Sequence, residues 1–105
     1  MPKYLVKVNY TPEGAKGLHH EGGSKRRAAA EHAIKSVGGR IDAFYFAFGD
    51  WDVIVIADLP DNTSAAALSV AVTSTGAAET STTPLITAEE MDNACHKVVG
   101  YQPPA

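Results

Sequence analysis

The residues of this chain that could do chemistry are few: four histidines, one cysteine and a handful of carboxylates among aromatic side chains. His19 and His20 are adjacent, and neighbouring positions on a helix do not face each other, so the pair is poorly placed to hold one metal ion. His32 and His96 stand apart from them. There is no His-x-x-x-His and no Cys-x-x-Cys, and no metal site is expected. A solvated or structural role suits most of these imidazoles. His19 is the best placed for general-base work, because it lies beside Gly22-Gly23, where the backbone could open around a ligand. Tyr10, Tyr45 and Trp51 each pair an apolar body with a polar tip, which suits a core, an interface or a ligand pocket. Asp52 opens an apolar run in which Asp is depleted by propensity. It reads either as a turn residue holding backbone N–H groups around Gly49 or as a carboxylate lining a pocket beside Trp51 and Tyr45; Asp42 presents the same choice. Cys95 has no His-Asp partner spacing and is expected to be a small buried apolar group. The weak catalytic candidates are therefore His19 and Asp52, and the ligand-binding candidates are Tyr10, His19, Tyr45, Trp51 and Asp52. The glycines Gly14, Gly17, Gly22 and Gly23 match no phosphate-loop or dinucleotide spacing, and no cofactor is expected.

The elements that must position these residues are organised around Ala43–Ile56. Two apolar runs are joined at Gly49-Asp50, a strand-turn-strand signal. Ile41, Ala43, Tyr45 and Ala47 point one way, and Phe44, Phe46 and Phe48 the other. Val53, Val55 and Ala57 oppose Ile54 and Ile56. A small soluble sheet usually wets one face, and alternation shows it. Here neither face is polar at the centre, so both need cover.

The remaining chain supplies that cover. Tyr4 to Tyr10 alternates as a first strand. Thr11-Pro12-Glu13 is a helix start: a capping Thr, a Pro suited to the first helical position and a carboxylate at the positive end of the dipole. That helix should reach about Glu21, break at Gly22-Gly23, and restart from a Ser24 cap to Val37 with Ala29, Ala30, Ala33, Ile34 and Val37 as its apolar stripe. Gly38-Gly39 ends it. Asp61-Asn62-Thr63-Ser64 caps an alanine-rich helix that stops near Gly76. Ala77 to Thr83 reads as a fourth strand, its Thr80, Ser81, Thr82 and Thr83 favouring the pleat. Pro84 must end it or lie on an edge. Thr87-Ala88-Glu89-Glu90 is a capping box for a last short helix carrying Met91, Ala94 and Cys95.

Several of these blocks together resemble the GYD domain family. Phe48-Gly49-Asp50-Trp51-Asp52 is similar to the family's hairpin signature, with Trp51 where Tyr is usual. Gly39–Phe46, Tyr10–Ala15 and Thr82–Leu85 fit in the right order, and the resemblance runs from about Lys3 to Met91. It implies a dimeric α/β-barrel type of ferredoxin-like fold, and no particular activity.

The order β-α-β-β-α-β plus a terminal helix is itself the ferredoxin-like pattern of an α+β domain with a four-stranded antiparallel sheet. Its helices cover one face. A bare second face with Ile or Phe side chains is an apolar patch that monomers rarely leave open, so the residue pattern also predicts a homodimer or larger assembly. At 105 residues the chain is one domain, 1–105, with a core at about 3–91 and an extended or loose tail at 98–105. A net charge of −3 leaves no polyanion footprint. The basic residues from Lys16 to Lys35, Arg26 and Arg27 among them, are interleaved with Glu21 and Glu31 and read as a solvated helix face, so no nucleic-acid partner is expected. No run approaches membrane-spanning length, no leader is recognisable and a single cysteine makes no disulfide; a cytoplasmic protein without a membrane partner is the expectation. Three functions fit: a small-molecule-binding or accessory dimer, favoured for want of any catalytic motif; a cofactor-independent monooxygenase, isomerase or lyase; and a purely structural assembly protein.

Overall fold

The computed structural model describes all 105 residues. Its elements are β1 (Lys3–Tyr10), α1 (Pro12–Glu21), α2 (Gly23–Ser36), β2 (Arg40–Phe46), β3 (Val53–Asp58), α3 (Asn62–Thr73), β4 (Ala78–Leu85) and α4 (Ala88–Cys95). The four strands form one antiparallel sheet in the order β2-β3-β1-β4. The architecture is α+β. No helix is long and apolar enough to cross a membrane.

Local chemistry accounts for the boundaries. The Thr11 side chain caps α1 by accepting from the Gly14 N–H, and Asp61 caps α3 by accepting from the Ser64 N–H at 2.8 Å. Thr87 and Glu90 form the reciprocal capping box of α4. The break between α1 and α2 falls on Gly22, at φ 86°, and Gly22 rather than Ser24 is the N-cap of α2. Only a residue without a Cβ enters that region freely, so the positive φ decides the position of the break. Pro84 lies inside β4 and is tolerated because β4 is an edge strand.

One face of the sheet carries the core. Tyr4, Val6, Val53, Val55 and Ala57 are buried there with Ile34 of α2, Ala65 of α3 and Leu59, and Val8, Tyr10, Ile41, Phe44 and Leu68 pack around them. Ile41 departs from the simple alternation: it joins this face, opposite the face of Ala43. The register shifts between Ile41 and Ala43, where β2 bulges against β3. One extra residue inverts the alternation on either side of it. Leu5, Ile54, Ile56, Ala43 and Tyr45 lie on the other face, which no helix covers. Tyr45 is 70% exposed.

The β2–β3 connection is a six-residue loop, Ala47 to Asp52, closed by the Ala47 N–H on the Asp52 carbonyl at 2.8 Å, and Gly49 within it does not take a positive φ. One further expectation is corrected. Cys95 is exposed, not buried. No residue of α4 is buried, because the helix projects from the body of the domain. The radius of gyration, 16.6 Å, records that projection; a compact chain of this length gives about 13 Å.

Candidate functional site

The helix side of the sheet is incompletely filled. A cleft of about 380 Å³ runs between α2, α3 and the sheet. Its α2 wall is Ala29, Ala30 and Ala33, with Val37 just past the end of the helix, and its α3 wall is Ala67, Leu68, Ala71 and Val72. Val8, Phe44, Val53 and Val55 form the floor. The cause is visible in the composition. Both helices turn alanines toward the sheet, and a methyl group cannot span the distance to a floor of valines. A smaller hollow of about 80 Å³ continues beneath α3 toward Thr80 and Thr82. There the Ser69 and Thr80 hydroxyls bond each other at 2.6 Å.

Polar groups are sparse in the cleft. Ser36 and Thr75 reach it, but their hydroxyls donate to the Ala33 and Val72 carbonyls. That leaves Tyr10 and Arg26. Arg26 comes from the first turn of α2 on the same stripe as Ala29, Ala30 and Ala33, and it is the one charged residue of the lining. Its Nη1 makes a single contact with Glu21 Oε1, at 3.3 Å, with both side chains more than a third exposed. Tyr10 ends β1, where its backbone N–H donates to Asp52 Oδ2 at 2.9 Å. The start of α2 is at that same end of the sheet, since a Cβ on Gly23 would lie 3.0 Å from the Phe46 ring.

The sequence-derived candidates do not converge on one place. Tyr10 lines the cleft. Asp52 stands with Tyr10, Leu18, Phe46 and Phe48 around a separate, open depression near the hairpin. Trp51 is on the opposite side of the sheet, its ring 5.1 Å from the ammonium of Lys7, and Tyr45 shares that face. His19 is exposed on the last turn of α1 and lines neither the cleft nor the depression. His20, His32 and His96 are exposed as well, and no three His, Cys, Asp or Glu side chains gather in one place. In the sequence Arg26 reads as part of a solvated helix face. The signal that finds Arg26 is its register: it stands three, four and seven residues before Ala29, Ala30 and Ala33, so a cation occupies an apolar stripe.

The strongest electrostatic cluster lies away from the cleft. Asp58, its side chain 5% exposed, accepts from Lys3 Nζ and from Arg40 Nε, each at 2.9 Å. These bonds, Lys3 first and then Arg40, hold its carboxyl below the ordinary value. Lys3 also reaches Asp42 at 3.2 Å, and both carboxylates raise its own pKa, Asp58 more than Asp42. The cluster ties the ends of β1, β2 and β3 together.

Comparison with known proteins gives one match. A family profile described as GYD domain matches residues 4–95. No curated protein and no solved structure matches the chain.

Proposed function

The chain belongs to the GYD domain family, and we propose that it is a small-molecule-binding, self-associating domain of ferredoxin-like, dimeric α/β-barrel type whose ligand occupies the cleft between α2, α3 and the sheet. The cleft carries the reading. Its volume falls in the range of about 300–1,000 Å³ typical of small-molecule sites, and its walls are apolar, with Tyr10 and Arg26 at one end. An empty apolar hollow also costs stability roughly in proportion to its volume, and a chain with ten buried residues has little to spare. The absence of any carboxylate or imidazole from the lining favours binding over acid–base catalysis. The strand order β2-β3-β1-β4, with the core on one face, supports the ferredoxin-like assignment. A reducing, cytoplasmic setting fits the single unpaired cysteine.

Native mass spectrometry of the freshly purified chain, repeated after denaturation, tests the reading. A small molecule retained in the native spectrum and released on denaturation supports it. A bare chain that also fails to enhance the fluorescence of an apolar dye in a manner abolished by Ala71→Trp contradicts it.

Self-association rests on a different observation. Leu5, Ile54, Ile56, Tyr45 and Trp51 share the uncovered sheet face, and a second copy of the same face hides them with two-fold symmetry. Light scattering at micromolar concentration should give twice the chain mass or a multiple of it, and Ile54→Lys should reduce it to the monomer. A wild-type monomer would remove this part of the reading and leave the cleft untouched.

A further inference from the structure

We infer that the ligand of the cleft is an apolar monocarboxylate, with its body along the alanine-lined trough and its carboxylate on the guanidinium of Arg26; this rests on the reading of the cleft as a binding site. Three observations carry the assignment. Arg26 is the one charge among the lining residues, and no acidic side chain lines the cleft, so the cavity has a single cationic end and otherwise apolar walls. The guanidinium is available. Its contact with Glu21 is one long bond between two partly exposed side chains, a kind of pair that contributes little and exchanges readily. An arginine has five donors in a planar fork, so most remain for the two-pronged grip that suits a carboxylate. Tyr10 lines the cleft at that same end of the sheet, so the polar residues with donors to spare gather at one end of the trough.

The apolar walls set the rest of the preference. An ion pair beside valine and alanine walls is less screened than one in water, so the anion is worth more in the cleft than on the surface. A dicarboxylate would place its second charge against Ala29, Ala33, Ala67 and Ala71 with no partner. A neutral molecule of the same shape would fill the trough and leave Arg26 on Glu21.

Isothermal titration of the full-length protein with octanoate and with 1-octanol tests this. Octanoate should bind at least ten-fold more tightly than octanol. Arg26→Gln should remove that advantage by weakening octanoate far more than octanol. Glu21→Gln, which frees the guanidinium, should tighten octanoate several-fold. Equal affinities for the two probes, or an Arg26→Gln variant that keeps the octanoate preference, would overturn the carboxylate assignment while the cleft remained a binding site. Failure of both probes to bind, with Ala71→Trp changing nothing, would overturn the binding site as well. Binding only after truncation at Leu85 would assign the cleft to the C-terminal arm of another copy and also overturn the proposal.

Discussion

The Asp52 carboxylate accepts the backbone N–H of Tyr10 at 2.9 Å, while the Asp52 N–H donates to the Val8 carbonyl at 2.9 Å and to Asn9 Oδ1 at 3.0 Å. Asn9 returns a bond from its Nδ2 to the Asp50 carbonyl at 2.9 Å. The end of β1 and the β2–β3 loop are therefore clamped side by side. Asp52 holds Tyr10 where it lines the cleft. Asp52→Ala leaves a half-buried N–H without its acceptor and should destabilise the fold by about 1–2 kcal/mol. Asp52→Asn, which keeps an accepting oxygen, should lose less than half of that. Urea unfolding of the two variants decides it: equal losses would show that the carboxylate acts by charge and not as an acceptor.

Gly14 and Gly17 make a contrasting pair within α1. A Cβ on Gly14 would fall 1.9 Å from the Ala77 carbonyl oxygen, and the Thr11 N–H bonds that same oxygen at 3.0 Å. The helix docks on the start of β4 by backbone contact. Gly14→Ala must push α1 away and should cost about 1–3 kcal/mol. A Cβ on Gly17 meets only a flexible Glu21 oxygen at 4.0 Å. Gly17→Ala should stabilise the protein by up to about 1 kcal/mol through helix propensity alone. Thermal unfolding of both variants should move in opposite directions.

Asp58 makes stability depend on acid pH with a defined sign. Its carboxyl is held below the ordinary value of 3.8 by Lys3 and then Arg40, so in that region the unfolded chain binds more protons than the folded one. The stabilisation is complete above the ordinary value. It declines as pH falls through 3.8 toward the folded value, and is absent below that. Asp58→Asn should be less stable than wild type at pH 7, and the difference should close as pH drops below about 4. Because Lys3 and Arg40 are themselves exposed, water replaces much of what each loses, and the difference should be modest. A gap between the two proteins that persists at pH 2 would place the effect in packing instead.

Much of the fold is legible in the residues because its determinants are local. Thr11-Pro12, Asp61 and Thr87-x-x-Glu90 start helices through side chains within three residues of the backbone they cap. Alternation in β1 puts Tyr4 and Val6 inward without reference to any other strand. The misread features depend on partners. The bulge that turns Ile41 inward exists only in pairing with β3. Cys95 sits on an amphipathic helix, and such a pattern declares an apolar face without saying that its own domain meets it. Arg26 is the same problem at the cleft. Its register on the alanine stripe was present in the sequence, yet a cation near Lys25 and Arg27 reads as solvated until α3 and the sheet are seen to leave a space beside it. Tyr45 and Trp51 were read with Tyr10 because all three are amphipathic aromatics near one hairpin. The pleat and the loop then place them across the sheet from it.

The C-terminal arm should be dispensable for the stability of a single domain. Every buried residue lies between Tyr4 and Ala78, whereas Met91 is 51% exposed and Val98 wholly so. The helix α4 holds its shape by its own capping box and not by contact with the sheet. Ending the chain after Leu85 therefore removes no core side chain, and the unfolding free energy from urea titration in dilute solution should change by no more than a surface substitution would change it, about 0.5 kcal/mol. The truncated chain should lose the apolar exposure of Ile86, Met91, Val98, Val99 and Tyr101 and be the more soluble of the two. A fall above 1 kcal/mol at concentrations where light scattering shows only monomer would mean that the arm folds back on its own sheet, over the face that Ile54 and Ile56 leave open.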